Sequence, residues 1–127
     1  MKALYSFLII GVSSVLLSAC CKGGSGGDAS ITAFPFHHTK PIPGVTVYVK
    51  YDATEFPGAS PSSYDINFKA GATDLSVKCT GLTCGNYYLY GVGYDSSISQ
   101  IVSGGMNVKI SYSDRKNNAN VNLAITE

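Results

Sequence analysis

Cys79 and Cys84 are the two residues whose type and spacing most directly predict chemistry. They enclose four residues at the neck of a predicted hairpin. Because an exported domain meets an oxidising compartment, this spacing predicts a disulfide between them. Closing so short a loop would stabilise the hairpin by about 2 kcal/mol. A redox pair and a zinc site are weaker alternatives, since the spacing is not Cys-x-x-Cys and no nearby residues supply further ligands.

His37 and His38 are the only histidines, and they end a segment rich in β-forming residues. Neighbours in an extended segment point to opposite faces, so we expect two surface histidines that cannot bind one metal ion together. The sequence has no Gly-x-Ser-x-Gly elbow, no His-Glu-x-x-His pair and no phosphate-binding glycine loop. These observations predict a protein that is not an enzyme, with no metal site and no cofactor.

Three tyrosines form the candidate binding face. Tyr48, Tyr88 and Tyr90 fall, by strand alternation, on the face opposite the predicted core. Tyrosine combines an apolar ring with a hydroxyl, which suits stacking on a glycan or anchoring a protein partner. The alternative, which we slightly favour, is that the rings pack across neighbouring strands and stabilise an exposed sheet.

Residues 1–19 have the pattern of a signal peptide. Lys2 precedes an apolar run from Leu4 to Leu17, which is short for a membrane span and ends at small residues. The sequence Leu17-Ser18-Ala19-Cys20 resembles the bacterial lipobox, and that resemblance implies cleavage after Ala19 and acylation of Cys20. The alternative is an ordinary secretory signal followed by a structural cysteine.

Residues 20–30 are predicted to be the lipidated Cys20 and a flexible Gly/Ser-rich tether, since this segment offers nothing apolar to fold around. Cys21 would then be a free thiol, an intermolecular bridge or a bystander. Residues 31–127 have the length of one domain. Nine Lys and Arg balance eight Asp and Glu without a basic patch, so we expect no nucleic-acid partner.

Alternation of apolar and polar residues predicts the strands that position these side chains. Val45, Val47 and Val49 are expected in the core, whereas Pro35 makes residues 31–38 an edge strand or an irregular entry. Several short strands without helical periodicity predict an all-β fold, an antiparallel β-sandwich of six or seven strands, prealbumin-like or Ig-like. The predicted strands cover residues 31–38, 45–51, 64–70, 75–79, 86–95, 106–112 and 119–127.

Glycines and one leucine give three further expectations. Gly91 and Gly93 predict a bulge or a close backbone approach within residues 86–95. Ser103-Gly104-Gly105 predicts a turn. Leu75 is expected to face inward together with the other alternate residues of its strand.

Part of the chain resembles a known family. Residues 40–49 (KPIPGVTVYV), Thr73-Asp74, Leu82 and residues 85–89 (GNYYL) are similar to the carboxypeptidase regulatory-like domain, a transthyretin-like β-sandwich. The chain departs from the family pattern at its first strand and adds residues around Thr80. The resemblance implies a binding or scaffolding module and does not imply peptidase activity.

Together these features predict a membrane-tethered, non-catalytic lipoprotein of the bacterial envelope, similar in style to small Bacteroidota lipoproteins. Its expected partners are the membrane, through the lipid anchor, and an envelope protein or glycan. The alternatives are a subunit of a surface fibre and a glycan-binding accessory protein. The expected location is the outer membrane, and the periplasmic face is favoured because no acidic cluster follows Cys20.

Overall fold

Two β-sheets packed face to face make up the part of the chain that the structure describes. The computed structural model describes residues 21–127, so the predicted signal peptide and Cys20 lie outside it. Short 3-10 turns occupy Pro61–Ser63 and Tyr112–Asp114. The strands are β1 (Ser25–His37), β2 (Lys40–Pro41), β3 (Thr46–Tyr51), β4 (Ile66–Lys69), β5 (Val77–Leu82), β6 (Gly85–Asp95), β7 (Gln100–Ile110) and β8 (Asn118–Ala124).

The first sheet has β1 at its centre, with β5 and the short β2 on one side and β8 on the other. The second sheet has the order β4-β3-β6-β7 and is antiparallel throughout. The pairing of β1 with β8 is parallel. The predicted all-β sandwich is confirmed, with the two-residue β2 as an eighth strand. Within residues 21–127, no helix has the length and hydropathy that a membrane crossing requires.

The core lies between the sheets and follows the predicted alternation. Val45, Val47 and Val49 are fully buried, as expected. Burial of such side chains contributes about 1.5–3 kcal/mol each. The prediction that Leu75 faces inward is wrong, because this residue precedes β5 and is 50% exposed. The other large, fully buried core residues are Ile31, Ile42, Leu82, Tyr87, Leu89, Val102, Leu123 and Ile125.

β1 is a central strand, so its predicted position at an edge is wrong. Pro35 is tolerated because β5 pairs with β1 only as far as Ala33, and β2 begins its pairing at Phe36. The carbonyl of Pro35 accepts a bond from Ile42 N–H on that same side. The N–H and C=O of one strand residue point the same way. The side on which Pro35 lacks an N–H donor is therefore the side of the gap between β5 and β2, where no strand requires that hydrogen bond.

The glycines of β6 and β7 allow close approach and do not interrupt the strands. β6 and β7 pair without a register shift from Gly85↔Ile110 to Asp95↔Gln100, so Gly91 is not in a bulge. A side chain at Gly91 would overlap Leu123 of the facing sheet. The predicted turn at residues 103–105 is also wrong, because these residues belong to β7 and the chain turns at residues 96–99.

Candidate functional site

The first described residue, Cys21, forms a disulfide with Cys84. The predicted Cys79–Cys84 bridge is therefore wrong. Cys79 is a free thiol on β5 that points into the core and is fully buried, and burial raises its pKa to about 12. Cys84 lies instead just before β6, at the end of the sandwich that Cys21 reaches. Spacing along the sequence could not reveal this pairing, because the bridge spans 63 positions.

Residues 22–24 are held against the hairpin by hydrogen bonds. The Tyr87 hydroxyl accepts the Gly24 N–H at 2.9 Å and donates to the Thr83 carbonyl at 2.7 Å. The Thr83 N–H donates to the Gly24 carbonyl at 3.0 Å, and the Thr83 hydroxyl donates to the Lys22 carbonyl at 2.9 Å. These bonds fix the backbone of a segment that has no apolar side chains of its own.

Glycine is needed here because two backbones come into contact. A side chain at Gly23 would overlap the Asn86 carbonyl, and one at Gly27 would overlap the Leu82 carbonyl. β1 already begins at Ser25. The prediction of a flexible tether over residues 20–30 is thus wrong for residues 21–30. Cys20, for which the sequence predicts acylation, lies outside the described residues and is the sequence neighbour of the bridged Cys21.

A basic rim surrounds the Cys21–Cys84 end. Lys22, Arg115 and Lys116 line a cavity of about 390 Å³ there, together with Asp28 and Thr83. The Arg115 guanidinium lies 4.0 Å from the centre of the Tyr112 ring and donates to the Tyr112 carbonyl at 2.9 Å. Three cations and one carboxylate give the lining of this cavity a net positive charge, although the chain as a whole is nearly neutral.

The three predicted tyrosines do lie together on the outer face of the second sheet. Tyr48 is paired directly with Tyr90 across β3 and β6, and Tyr88 is the partner of Lys50 two positions along. The loop of residues 52–65 carries Phe56 and Tyr64 onto the same face. We call these five aromatic residues, Tyr48, Phe56, Tyr64, Tyr88 and Tyr90, the aromatic cluster.

Tyr90 is the centre of the aromatic cluster. The Tyr64 ring stacks on it at 5.7 Å with a 10° interplanar angle, and the Phe56 ring lies 5.4 Å away. Tyr90 is consequently only 7% exposed, whereas Phe56 is 53% exposed and Tyr88 is half-buried. Burial, and then the neighbouring Tyr88 and Tyr90 hydroxyls, raise the pKa of Tyr64 to about 12.

The aromatic cluster combines packing with an open surface. Tyr90 is covered by the loop, so its ring face is not accessible to a ligand. The exposed ring of Phe56 and the outer edge of Tyr88, 5.9 Å apart between centroids, remain accessible. Sequence reasoning missed the two loop residues. The signal was present, since Phe56 and Tyr64 flank a Pro/Ser-rich stretch that contains no other aromatic residue.

The histidines differ from expectation. His37 is buried, and its Nδ1 lies 2.8 Å from Oδ2 of Asp95. Hydrogen bonds from the Ser97 hydroxyl and from His37 hold the pKa of Asp95 well below its usual range, with a further contribution from Lys40. His38 is exposed, as predicted. The prediction of a surface histidine is therefore wrong for His37.

Comparison with known proteins identifies no relative. The chain matches no protein-family model, no curated protein and no solved structure. The resemblance to the carboxypeptidase regulatory-like domain stays a prediction.

Proposed function

We propose that this chain is a lipid-anchored, non-catalytic binding or scaffolding module of the bacterial envelope, located at the outer membrane with its domain in the periplasm. The observation that carries the proposal is the Cys21–Cys84 disulfide. It fixes to the sandwich the residue that follows the lipobox cysteine Cys20. A signal-proximal cysteine with a structural partner in the domain fits export, and we assign the lipid to the neighbouring Cys20.

The anchor would hold the domain directly against the membrane. Residues 22–24 are bonded to the hairpin and β1 starts at Ser25, so no flexible linker separates Cys21 from the sandwich. The basic rim, Lys22, Arg115 and Lys116, would then face the lipid headgroups. Each such cation contributes about 1 kcal/mol of attraction to an anionic surface, which favours one orientation of the domain.

The aromatic cluster is the surface that we propose for an envelope protein or glycan. Phe56 offers an exposed ring beside the half-buried Tyr88, with the Tyr88 hydroxyl as a polar group. Such a pair suits stacking against a sugar ring or packing under a partner's side chain. Tyr90 and Tyr64 support this surface from below through their stacked rings.

Fractionation of cells that produce the full chain tests the anchor. We expect the wild-type protein in the membrane pellet after a high-salt wash and the Cys20→Ala protein in the soluble fraction, because the acylated cysteine supplies the attachment. Cys21→Ala is the matched control: it removes the neighbouring cysteine and the disulfide but keeps Cys20, so it should stay in the pellet. A Cys20→Ala protein that remains in the washed pellet would contradict the proposal.

A fibre subunit is the second candidate, and the edges of the sheets bear on it. A subunit that accepts a partner's strand needs an edge strand with unpaired backbone groups. β4 and β5 each end a sheet, and a cleft lies between them. Lys69 and Lys78 are exposed on these two strands. Charged lysines on edge strands oppose the addition of another strand. We therefore favour the anchored binding module.

A further inference from the structure

One end of the sandwich gathers two histidines and two carboxylates. His37 ends β1, Asp95 ends β6, and Glu127 lies beyond β8. His38 follows in the turn between β1 and β2 with a φ of 56°, a left-handed conformation that is uncommon outside glycine. The ring centroids of His37 and His38 consequently lie 4.2 Å apart on the same side. The rule that neighbours in a strand point to opposite faces does not apply at this turn.

Asp95 fixes the orientation of the His37 ring. Its Oδ2 lies 2.8 Å from Nδ1, and both side chains are only 3% exposed. Its Oδ1 accepts the backbone N–H and the hydroxyl of Ser97 at 2.9 and 2.6 Å. In the neutral imidazole, an Nδ1–H that donates to this carboxylate would leave the lone pair on Nε2. Carboxylate–histidine pairs of this kind orient the imidazoles that bind metal ions.

The free nitrogen of His37 faces the other two side chains. Nε2 lies 3.5 Å from Oε2 of Glu127. One ligand atom from each of His37, His38 and Glu127 lies within 4.8 Å of the other two. Two ligands about 2.1 Å from a tetrahedral zinc ion are about 3.4 Å apart. Because His38 and Glu127 are exposed, their side chains are free to rotate toward His37, which would bring the ligand atoms closer together.

We propose that His37 Nε2, a ring nitrogen of His38 and the Glu127 carboxylate bind one divalent ion of the zinc class, with the fourth position open to solvent. Two imidazoles and one carboxylate suit Zn²⁺, Cu²⁺ or Ni²⁺, whereas Mg²⁺ and Ca²⁺ prefer oxygen ligands alone. Lys40 lies nearby, and its Nζ is 3.7 Å from Oδ1 of Asp95. The Lys40 ammonium balances the negative charge of Asp95, so the negative charge of Glu127 is available to bind the metal ion.

The same contacts would also arise in an ion-pair cluster, with a protonated His37 between Asp95 and Glu127. The two arrangements differ in what they require of His38. An ion pair needs only His37 and the carboxylates, whereas a three-ligand metal site needs His38 as much as Glu127. Parallel substitution of His38 and Glu127 therefore separates them.

Zinc titration of the full-length chain tests the site. The protein is purified in detergent, stripped with EDTA, dialysed and titrated with ZnCl₂ in a calorimeter, with MgCl₂ as the comparison. We expect one Zn²⁺ per chain, no Mg²⁺ binding, and affinity at least about tenfold weaker in His38→Ala and in Glu127→Gln. Both residues are exposed, so both variants should keep the wild-type circular dichroism. Glu55→Gln, which removes an exposed carboxylate from the distant loop, is the matched control and should bind like the wild type.

Three outcomes would overturn the proposal. The first is the absence of Zn²⁺ binding by the wild-type chain. The second is equal affinity in the wild type, His38→Ala and Glu127→Gln, which would place the ion elsewhere. The third is weaker binding in Glu127→Gln with no change in His38→Ala, because it would leave the cluster as an ion pair that attracts cations without coordination by His38.

Discussion

Cys21 and Cys84 are joined across 63 sequence positions, and the bond attaches the first described residue to the base of the hairpin formed by β5 and β6. A loop of this length removes far more conformational entropy from the unfolded chain than the short loop that the sequence suggested. On the loop-entropy relation the bridge is worth about 4 kcal/mol, against about 2 kcal/mol for a Cys79–Cys84 bridge. This bond therefore stabilises the whole domain as well as the hairpin.

Removing the bridge should destabilise the domain strongly. We expect the Cys21→Ser, Cys84→Ser double variant to lose up to about 4 kcal/mol of unfolding free energy in urea, monitored by circular dichroism. Peptide mapping checks the pairing. Trypsin leaves Cys79 and Cys84 on one peptide, because no Lys or Arg separates them. Cys79→Ala resolves the assignment: a cross-link to the Cys21 peptide should persist in that variant, and its loss would place the bond at Cys79. Absence of any cross-link to the Cys21 peptide in the wild type would restore the Cys79–Cys84 pairing.

Two adjacent glycines distinguish a packed N-terminal segment from a flexible one. At Gly23 a new Cβ would overlap the Asn86 carbonyl, whereas at Gly24 the nearest atom is the Thr83 hydroxyl at 3.9 Å. We expect Gly23→Ala to lower the unfolding free energy by about 1–3 kcal/mol, as overpacking does. Gly24→Ala should change it by less than about 0.5 kcal/mol. Urea unfolding measures both, and equal tolerance of the two changes would indicate a free tether.

The sandwich could be predicted because its strands obey local rules. Val45, Val47 and Val49 alternate with half-buried residues, and the same period carries Tyr87 and Leu89 into the core. Each predicted strand has an observed counterpart for this reason. The alternation also placed Tyr48, Tyr88 and Tyr90 on one outer face, where the structure has them.

The errors at the disulfide and in the N-terminal segment come from contacts between residues that are distant in sequence. Cys84 had a nearby candidate partner in Cys79, but strand alternation turns Cys79 into the core while the N-terminal segment reaches Cys84. Gly23 resembled a linker residue, yet it is needed where two backbones meet. Patterns within a short window carry no information on these two contacts. The error at His38 is local, because its left-handed turn interrupts the strand periodicity.

The buried thiol of Cys79 should be chemically silent in the folded protein. We expect no labelling of Cys79 by iodoacetamide at pH 8 in the native chain, and labelling of Cys79 when the chain is unfolded without reductant. Burial favours the protonated form and raises the pKa from 9.0 to about 12. The unfolded state therefore releases this proton first, and the unfolding free energy should fall as the pH rises from 9.0 toward 12. Cys79→Ala lacks this contribution, so the unfolding free energy of the wild type should fall relative to that of Cys79→Ala over that range, with a constant offset between the two chains below it.

The loop of residues 52–65 protects part of the aromatic cluster from solvent. Tyr90 and Tyr94 lie on the same strand and on the same outer face, but Tyr90 is 7% exposed beneath the loop and Tyr94 is 53% exposed beyond it. Tyr90→Ala should lower the unfolding free energy by about 3 kcal/mol, because it leaves a cavity under Phe56 and Tyr64. Tyr94→Ala is the matched control and should stay within about 0.5 kcal/mol.

The same cluster allows a separate test of binding, through its exposed member. Phe56→Ser should change the unfolding free energy by no more than about 1 kcal/mol, since this ring is 53% exposed. The same change should abolish binding: the protein should no longer be retained on immobilised envelope glycans, or should no longer co-purify with its protein partner. Tyr94→Ser again serves as the control and should bind like the wild type. If Phe56→Ser binds normally while Tyr90→Ala unfolds as described, the aromatic cluster packs the loop onto the sheet and the partner binds at another surface.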